Sequence, residues 1–328
     1  MIMLLTWCSI LNSQSAPMDE ARIDIEAQVS KITWDENIIR SWDASGAVTV
    51  TYLKSGKSFL SKSDSAVFNR EGDQKPFKDT ITLKGNISCN LNGMQITADD
   101  LQLVSDNNSY SINSAKNIKV DSGTYSIETD SFNFDANNGL GSFSDGANLT
   151  FMIDNPKTEN DTNTPTGFEE NVFGQCLRIN TDGGTLHAPE MTIQYEKDTD
   201  NLFRPVFAKM QSGGELLPLG SYSEYTTSFV FGYIDFDLVN SIMNANNKVQ
   251  LINGPCQIEA ESVHVDWTNR NLTMKDNVIL SRELVKFQCG ELDISWDEVG
   301  RISLTAKDRP NMSITIPEET VKEAMPGK

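Results

Sequence analysis

Basic residues and histidine are scarce in this sequence. Its 328 residues include 27 Lys and Arg against 46 Asp and Glu, which gives a net charge of −19. This balance excludes nucleic acid as a partner, because phosphate backbones bind to basic surfaces. Only two histidines occur, so we expect no metal site built on imidazole ligands and no cofactor. Long apolar runs are also missing, which excludes a transmembrane helix outside the N-terminal segment.

The N-terminal segment is typical of a secretory leader. Residues 1–15 carry no charge, are largely apolar, and end with small residues at Ser13 and Ser15. We expect a signal peptide over 1–15 with cleavage before Ala16, and hence export. Two alternatives stay open, which are lipidation of Cys8 and an ordinary buried N-terminal segment.

Four cysteines remain beyond this leader: Cys89, Cys176, Cys256 and Cys289. They form no Cys-x-x-Cys pair, which argues against a structural zinc site. Two interpretations fit them. An even number in an exported chain permits disulfides, and the strand-like sequence around each cysteine also suits a small buried hydrophobic residue.

An internal repeat is the most informative feature of the sequence. Each copy has alternating apolar residues, a turn that in most copies contains Gly, more alternating apolar residues, a small residue followed closely by an acid, and then apolar residues in a shifted frame. The clearest early copies begin at Asn86 and Asn117, 31 residues apart, and Asn148 begins a third that a polar stretch interrupts. Further copies lie at 177–195, 249–267 and 277–296, with a weaker one around Phe59, Ala66 and Phe68.

The shifted frame predicts a corner in each copy. Alternation with period two places one set of side chains on one face of a strand, and the extra step after the small residue would turn the later apolar residues outward. A β-bulge after Ala98, Thr129, Ala188, Ala260 or Cys289 restores them to the inside and leaves the acid facing water. We therefore predict an all-β fold of stacked antiparallel repeats around a thin apolar interior, which accounts for the low apolar fraction of 38%.

The repeat resembles the OstA-like repeat of periplasmic lipopolysaccharide-transport proteins in Gram-negative bacteria. The shared pattern is Asn-apolar-x-apolar, a Gly turn, and Ile-x-Ala-Asp/Glu before further apolar residues, and it is clearest over 85–103 and 248–305. The resemblance implies an elongated, V-shaped β-jellyroll in the periplasm, whose apolar groove carries lipid acyl chains. It also implies edge strands that pair with other transport proteins. This chain is longer than the typical bridging member and carries a central insertion.

The sequence divides into two repeat runs. The expected parts are the leader (1–15), a first run (16–152), a polar linker or loop (153–172), a second run (173–308) and a flexible tail (309–328). Residues 197–247 lack the repeat and are interpreted as an insertion into the second run. Within it, the apolar spacing of Leu238–Asn246 predicts a short helix.

No residue pattern indicates catalysis, and we expect no enzymatic activity. The sequence contains no nucleophile-elbow, P-loop or Cys-His signature. His187 and His264 occupy outward positions of the repeat, where they are poor metal ligands. Carboxylates at period two, such as Glu259 and Glu261, are interpreted as a solvated strand face, since a glycosidase needs its carboxylates across a cleft.

The inward positions of the repeat are the candidate binding residues. They line either a plain packed core or a groove that opens enough to hold acyl chains, and the resemblance favours the groove. These candidate groove residues are Ile96, Leu101, Leu103, Ile127, Phe132, Phe134, Met191, Ile193, Ile258, Val263, Val265, Trp267, Phe287, Leu292, Ile294 and Trp296.

Two functions therefore compete. One is a periplasmic, non-enzymatic protein that transports or bridges lipopolysaccharide, and the other is an exported structural or adhesive β-solenoid without lipid cargo. A polysaccharide-acting β-helix enzyme is a weaker third. A trough with unpaired end strands would favour transport, and a closed interior would favour the solenoid. Because lipopolysaccharide is anionic and the chain is at −19, we expect the lipid to be held by its tails.

Overall fold

The computed structural model of this chain describes residues 21–35, 38–54, 57–72, 77–106, 109–152, 183–218, 227–253, 256–282, 285–296 and 302–314. Within these ranges the chain forms one antiparallel sheet of 22 strands and no helix. The predicted all-β class is therefore confirmed. Among the same residues, no helix has the length and hydrophobicity that a bilayer crossing requires.

Most strands follow one another with short connections, and residues 153–182 between β11 and β12 lie outside the described residues. The first eleven are β1 (Arg22–Glu26), β2 (Val29–Asp35), β3 (Ile38–Lys54), β4 (Lys57–Glu71), β5 (Lys78–Leu91), β6 (Met94–Ser105), β7 (Tyr110–Ser114), β8 (Ile118–Asp121), β9 (Tyr125–Thr129), β10 (Ser131–Asp135) and β11 (Leu140–Met152). The other eleven are β12 (Gly183–Lys197), β13 (Phe203–Met210), β14 (Gly214–Pro218), β15 (Thr227–Phe231), β16 (Tyr233–Asp237), β17 (Ile242–Asn253), β18 (Cys256–Asp266), β19 (Asn271–Arg282), β20 (Val285–Trp296), β21 (Ile302–Lys307) and β22 (Asn311–Ile314).

The sheet is folded along its length into two facing layers. Long strands such as β3 cross from one layer to the other, while short strands come in pairs that divide the two layers between them. β1 pairs with Thr49–Leu53 of β3, for example, whereas β2 pairs with its other half, Ile38–Ser45. Side-chain contacts between the two layers show that they face each other. The ring centroids of Phe151 and Phe236, which belong to opposite layers, are 4.8 Å apart. The apolar interior lies between them.

The fold line, which we call the corner, has the same geometry at alternate strand pairs. At five of these pairs the register shifts by a bulge, with two unpaired residues on one strand and one on the next. The two unpaired residues have positive φ, as at Gly85 (74°) and Asn86 (43°). The residue after them then faces the small residue of the next strand. Facing pairs at the corner are Val48–Ser63, Ile87–Ala98, Ile118–Thr129, Ala147–Ala188, Val249–Ala260 and Val278–Cys289.

The acids at the corner face water as predicted, and two of them also receive a hydrogen bond. Asp99 and Glu261 are exposed. The side-chain amide of Asn86 donates to Asp64 at 2.9 Å, and that of Asn117 donates to Asp99 at 2.6 Å. The repeated asparagine and the repeated acid are thus partners across neighbouring strands. Asparagine suits this position because it tolerates the left-handed conformation better than most residues.

Several predictions about organisation need correction. Residues 197–247, interpreted as an insertion, form part of the sheet, because β13 to β16 continue both layers between β12 and β17. The short helix predicted over Leu238–Asn246 is wrong, since the chain turns through Leu238 and then enters β17. The third copy is also shifted: its corner lies at Asp145 and Gly146, ahead of Asn148.

The structure describes part of the predicted tail but not the predicted leader or linker. The flexible tail was expected from residue 309, but Asn311–Ile314 forms β22 on β20. Pro310 directly precedes this strand, a position where its missing N–H costs nothing. The leader at 1–15, the linker at 153–172 and Cys176 lie outside the described residues.

Candidate functional site

The predicted groove residues line the interior of the folded sheet. Side chains such as Ile96, Phe134, Ile193 and Ile294 are fully buried and belong to one continuous hydrophobic cluster that extends from Ile25 near one end of the sheet to Ile294 near the other. All the candidates share this placement except two. Phe287 is half-buried against the cluster, and the side chain of Trp296 lies outside the described ones.

Aromatic rings fill much of the interior. In the middle of the sheet, Phe134 packs edge-on against Tyr195 and Phe203, with centroids 5.5 and 5.1 Å apart. Further along, Trp267 stands 5.7 Å from Phe151 and 5.5 Å from Phe236, so it touches both layers. Because these rings are at most 4% exposed, the interior around them is closed to water. The interior is therefore a packed strip that would have to open to receive a ligand.

Trp267 belongs to a recurring turn that sequence analysis missed. In each case an Asp carboxylate accepts hydrogen bonds from the amides of an Asn three positions later, as between Asp266 and Asn269 at 2.7 and 2.9 Å. Asp135 with Asn138, and Asp237 with Asn240, repeat this arrangement. The residue after the Asp is buried each time and covers the end of the interior. The sequence pattern that could have predicted this turn is Asp-x-x-Asn at the end of an alternating apolar stretch.

Burial and hydrogen bonding shift the pKa of Asp266 in opposite directions. Burial alone would raise the pKa of this carboxyl, but the main-chain and side-chain amides of Asn269 and the nearby His264 outweigh it and hold the pKa below its usual range. Asp266 therefore stays ionised while it holds the turn that positions Trp267.

The side opposite the corner, which we call the mouth, is where the turns of one layer meet those of the other. Individual polar contacts close it. The Lys54 ammonium donates to Ser105 Oγ at 2.9 Å, and the Tyr125 hydroxyl donates to the carbonyl of Leu238. Asn92 accepts from the main-chain amide of Phe203 at 2.8 Å and donates its side-chain amide to the carbonyl of Asn201 at 3.1 Å. No repeating pattern relates these contacts.

One contact beside the mouth is deeply buried. Arg70 holds Asp79 through two hydrogen bonds of 2.7 and 3.0 Å, and the Tyr52 hydroxyl from the opposite layer donates to the same carboxylate at 3.1 Å. The Asp79 side chain is 2% exposed, so its charge depends on these partners. Burial is the main cause that raises the pKa of Tyr52, which keeps the phenol protonated as a donor.

The outward histidines and acids take structural roles. His187 hydrogen-bonds to Asn148 on the neighbouring strand at 2.7 Å, and His264 does the same with Asn244. Glu259 accepts from the side chains of Gln250 and Gln257. Among the described residues, no group of three or more His, Cys, Asp or Glu is arranged to hold a metal ion.

The cysteines divide between the two interpretations that the sequence left open. Cys89 and Cys289 are free thiols and are buried, as expected for small hydrophobic residues. Burial raises the pKa of both thiols, which keeps them unreactive. Cys256 instead is disulfide-bonded.

Both ends of the folded sheet expose strand edges within the described residues. β1 and β2 each pair with β3, and β21 and β22 each pair with β20. Apolar side chains on these end strands are open to solvent, with Val29 65%, Trp34 55% and Met312 57% exposed. Unpaired edges carrying exposed apolar residues are templates for pairing with another chain.

Comparisons of the chain with protein-family models, with curated proteins and with solved structures find no match. The resemblance to the OstA-like repeat therefore depends on the repeat residues themselves. The fold and the interior define an all-β protein built as a two-layered folded sheet, and what it does has to be argued from its geometry.

Proposed function

We propose that this chain is an exported, non-enzymatic protein that holds the acyl chains of lipopolysaccharide between its two β layers and bridges lipid transfer across the periplasm. The observation that carries the proposal is the continuous apolar interior, which runs along the sheet from Ile25 to Ile294 and has the mouth as one border. Acyl chains need an elongated apolar path of this kind, because each buried methylene contributes about 0.8 kcal/mol.

The mouth supplies a route into the closed interior. At the corner, the two layers are joined by continuous strands, so they cannot separate there without breaking the sheet. At the mouth, they are joined by side-chain contacts such as Lys54–Ser105 and Tyr125–Leu238, each worth about 1 kcal/mol net. Parting the layers at the mouth therefore costs far less than parting them at the corner.

The surface charge supports binding by the tails. A net charge of −19 repels an anionic headgroup over most of the surface. Acyl chains inside the interior avoid this repulsion if the headgroup stays in water or is bridged by cations.

The end strands support partners of the same transport system. β1 and β2 at one end, and β21 and β22 at the other, offer main-chain hydrogen-bonding groups and exposed apolar residues such as Trp34. An added strand from a neighbouring protein would extend each layer by β-augmentation. The interior would then continue from one protein into the next.

The disulfide at Cys256 supports the proposed compartment. Disulfides form and persist in oxidising environments such as the bacterial periplasm and are rare in reducing ones. Export through a leader over 1–15 leads to the same compartment.

One observation favours the competing function, an exported structural or adhesive β-solenoid without lipid. Inward residues such as Ile96, Phe134 and Met243 are 0% exposed, so the interior is already filled in the absence of lipid. A permanently closed core of this kind would need no cargo.

Photo-crosslinking from inside the interior separates the two functions. We would place p-benzoylphenylalanine at Phe134, expose cells of a lipopolysaccharide-producing bacterium expressing the protein to light, and probe for lipopolysaccharide adducts. The matched control is Asn133, the preceding residue of β10, which points outward and is exposed. Transport predicts adducts from position 134 and none from 133. Adducts to protein alone from both positions would overturn the proposal in favour of the solenoid.

A further inference from the structure

A cavity with polar groups in its wall lies at the mouth, on the border of the apolar interior. Its volume is about 350 Å³, and it is bordered by the turn after β10, the end of β12 and the start of β13. The wall includes Lys57, Asn137, Asn138, Tyr195, Lys197 and Phe203. Neither the repeat nor the acyl-chain proposal assigns a role to this place.

Two ammonium groups share this cavity. Burial is the main cause that lowers the pKa of Lys57, and the positive charge of Lys197 lowers it further, which shows that the two charges are close. Lys57 donates to the Asn137 side chain, and Lys197 lies 5.3 Å from the centre of the Phe203 ring. Across the part of the chain that the structure describes, no carboxylate forms an ion pair with either lysine.

The acid that acts on Lys57 is already engaged. Asp135 favours the charged form of Lys57 from a distance, but its carboxylate accepts from the amides of Asn137 and Asn138, where it holds the turn. Two lysines that repel each other in one cavity are costly in a chain that could have supplied an acid. A bound anion would relieve this repulsion.

Two buried tyrosines lie beside the lysines, and one of them, Tyr195, lines the cavity. The Tyr195 hydroxyl is buried and has no hydrogen-bond partner among the described residues, and the same is true of the Tyr110 hydroxyl, whose ring lies 5.2 Å from the Lys57 ammonium. Burial raises the pKa of both phenols, so both remain protonated. Unsatisfied buried donors of this kind are a cost that a ligand or water can remove.

We propose that this cavity binds a phosphate group, as found on a phosphorylated sugar. Two ammonium groups match the charge of a phosphate, and Lys is a common phosphate ligand in proteins. The volume exceeds what one phosphate needs, which leaves room for part of the group that carries it. The inference does not depend on acyl-chain binding. If the acyl chains lie between the layers, a headgroup phosphate at the mouth would reach the cavity. There the two lysines would attract it, although the net charge of the protein repels it elsewhere.

The test uses the full-length protein and two charge-matched double variants. K57Q/K197Q removes the cavity charges, and K62Q/K84Q removes two charges from exposed outward residues elsewhere. Binding of inorganic phosphate, of bisphosphorylated lipid A in micelles and of dephosphorylated lipid A is measured by calorimetry at low salt. Protection of individual lysines from acetylation is read by mass spectrometry in parallel.

We expect inorganic phosphate to protect Lys57 and Lys197, and K57Q/K197Q to bind it at least tenfold more weakly while K62Q/K84Q binds it as the unchanged protein does. The single variant K197Q, at an exposed residue, should show the same direction if the double variant folds poorly. Equal weakening in both double variants, or no protection of Lys57 and Lys197, would overturn the proposal.

The lipid arms identify the source of the phosphate. Protection by inorganic phosphate and by lipid A, but not by dephosphorylated lipid A, supports a lipid headgroup. Protection by inorganic phosphate, with no binding of either lipid, supports a soluble phosphorylated ligand, so the phosphate site stands and the lipid proposal fails. Binding of both lipids without lysine protection would support acyl-chain binding and overturn the phosphate site.

Discussion

The corner and the mouth of the folded sheet close the same interior by different means. At the corner, backbone geometry repeats at alternate strand pairs: two residues of positive φ on one strand, and a facing small residue and an outward acid on the next, as at Gly85, Ala98 and Asp99. At the mouth, each contact is made by a different pair of groups, most of which include a side chain, and one is a main-chain hydrogen bond from Phe203 to Asn92. A hydrogen bond from Lys54 closes one place, and a hydrogen bond from Tyr125 closes another.

From this difference we infer that the corner is a permanent edge of the interior and that the mouth is an edge that can open. The corner depends on covalent strands and on residues that can adopt left-handed conformations, so a change there strains the backbone. The mouth depends on side chains that can exchange protein partners for water. Substitutions should therefore affect the free energy of unfolding strongly at the corner and at buried contacts, and weakly at the polar contacts of the mouth.

The largest effect is expected at the buried pair beside the mouth. Asp79→Asn leaves Arg70 without its carboxylate and should lower the free energy of unfolding by about 3 kcal/mol, because removing one partner of a buried ion pair costs about 3–5 kcal/mol. Urea denaturation measures the change. Glu71→Gln breaks the exposed pair between Lys78 and Glu71, whose side chains are 50% and 69% exposed, and should cost less than about 0.5 kcal/mol. Equal effects would show that burial does not distinguish the two pairs.

A smaller but still large effect is expected at the corner. Gly85 has a φ of +74°, and a Cβ there would overlap the Asp64 carboxylate. Gly85→Ala should cost about 2–3 kcal/mol, since the left-handed conformation alone costs about 1–2 kcal/mol. Gly123 has a φ of +87° with nothing within 4 Å, so Gly123→Ala isolates the conformational cost. If both variants unfold at the same urea concentration, the close approach at the corner has no energetic role.

A pH-dependent effect is expected at the turn that carries Trp267. The pKa of Asp266 is below its usual range in the folded protein, so its contribution to stability is complete above the unfolded pKa of about 3.9 and is lost as the pH falls through the folded value. Asp266→Asn should cost about 1 kcal/mol at pH 7. The difference from the unchanged protein should shrink below about pH 4. A constant difference from pH 7 to pH 2.5 would contradict this assignment.

The smallest effect on stability is expected at the mouth itself. Tyr125→Phe removes the hydrogen bond to the Leu238 carbonyl and should lower the free energy of unfolding by about 1 kcal/mol or less. Amide hydrogen exchange should nevertheless quicken at the turns on both sides of the mouth. A loss as large as that of Gly85→Ala would show that the mouth is as rigid as the corner.

The corner could be predicted from sequence because its signal is local. The small residue at Ala98 or Ala260 and the frame shift after it lie within one strand, and the structure has a bulge at both. The third copy was begun too late, at Asn148, because Asn148-Leu149-x-Phe151 matches the repeat by apolar spacing while the positive-φ residues Asp145 and Gly146 come earlier. Conformation rather than hydrophobicity fixes that position.

The repeat could not be recognised in residues 197–247 for a related reason. Here the corners fall between separate short strands, at Gly213 and Gly232, so no single strand carries the shifted frame of the repeat. The mouth had no local signal at all. Asn92 meets Asn201 across 109 residues of sequence, and the cavity between Lys57 and Lys197 likewise exists only once the layers have folded together.

The central claim is that the mouth opens for acyl chains while the corner stays fixed, and an EPR distance measurement tests it most directly. One pair of spin labels, at Thr124→Cys and Val239→Cys, spans the mouth, where both residues are exposed beside the Tyr125–Leu238 contact. A second pair, at Lys62→Cys and Val67→Cys, spans the corner on β4. The native thiols Cys89 and Cys289 are buried. We predict that lipid A micelles lengthen the distance across the mouth and leave the corner distance unchanged. An unchanged mouth distance at saturating lipid A would contradict the claim.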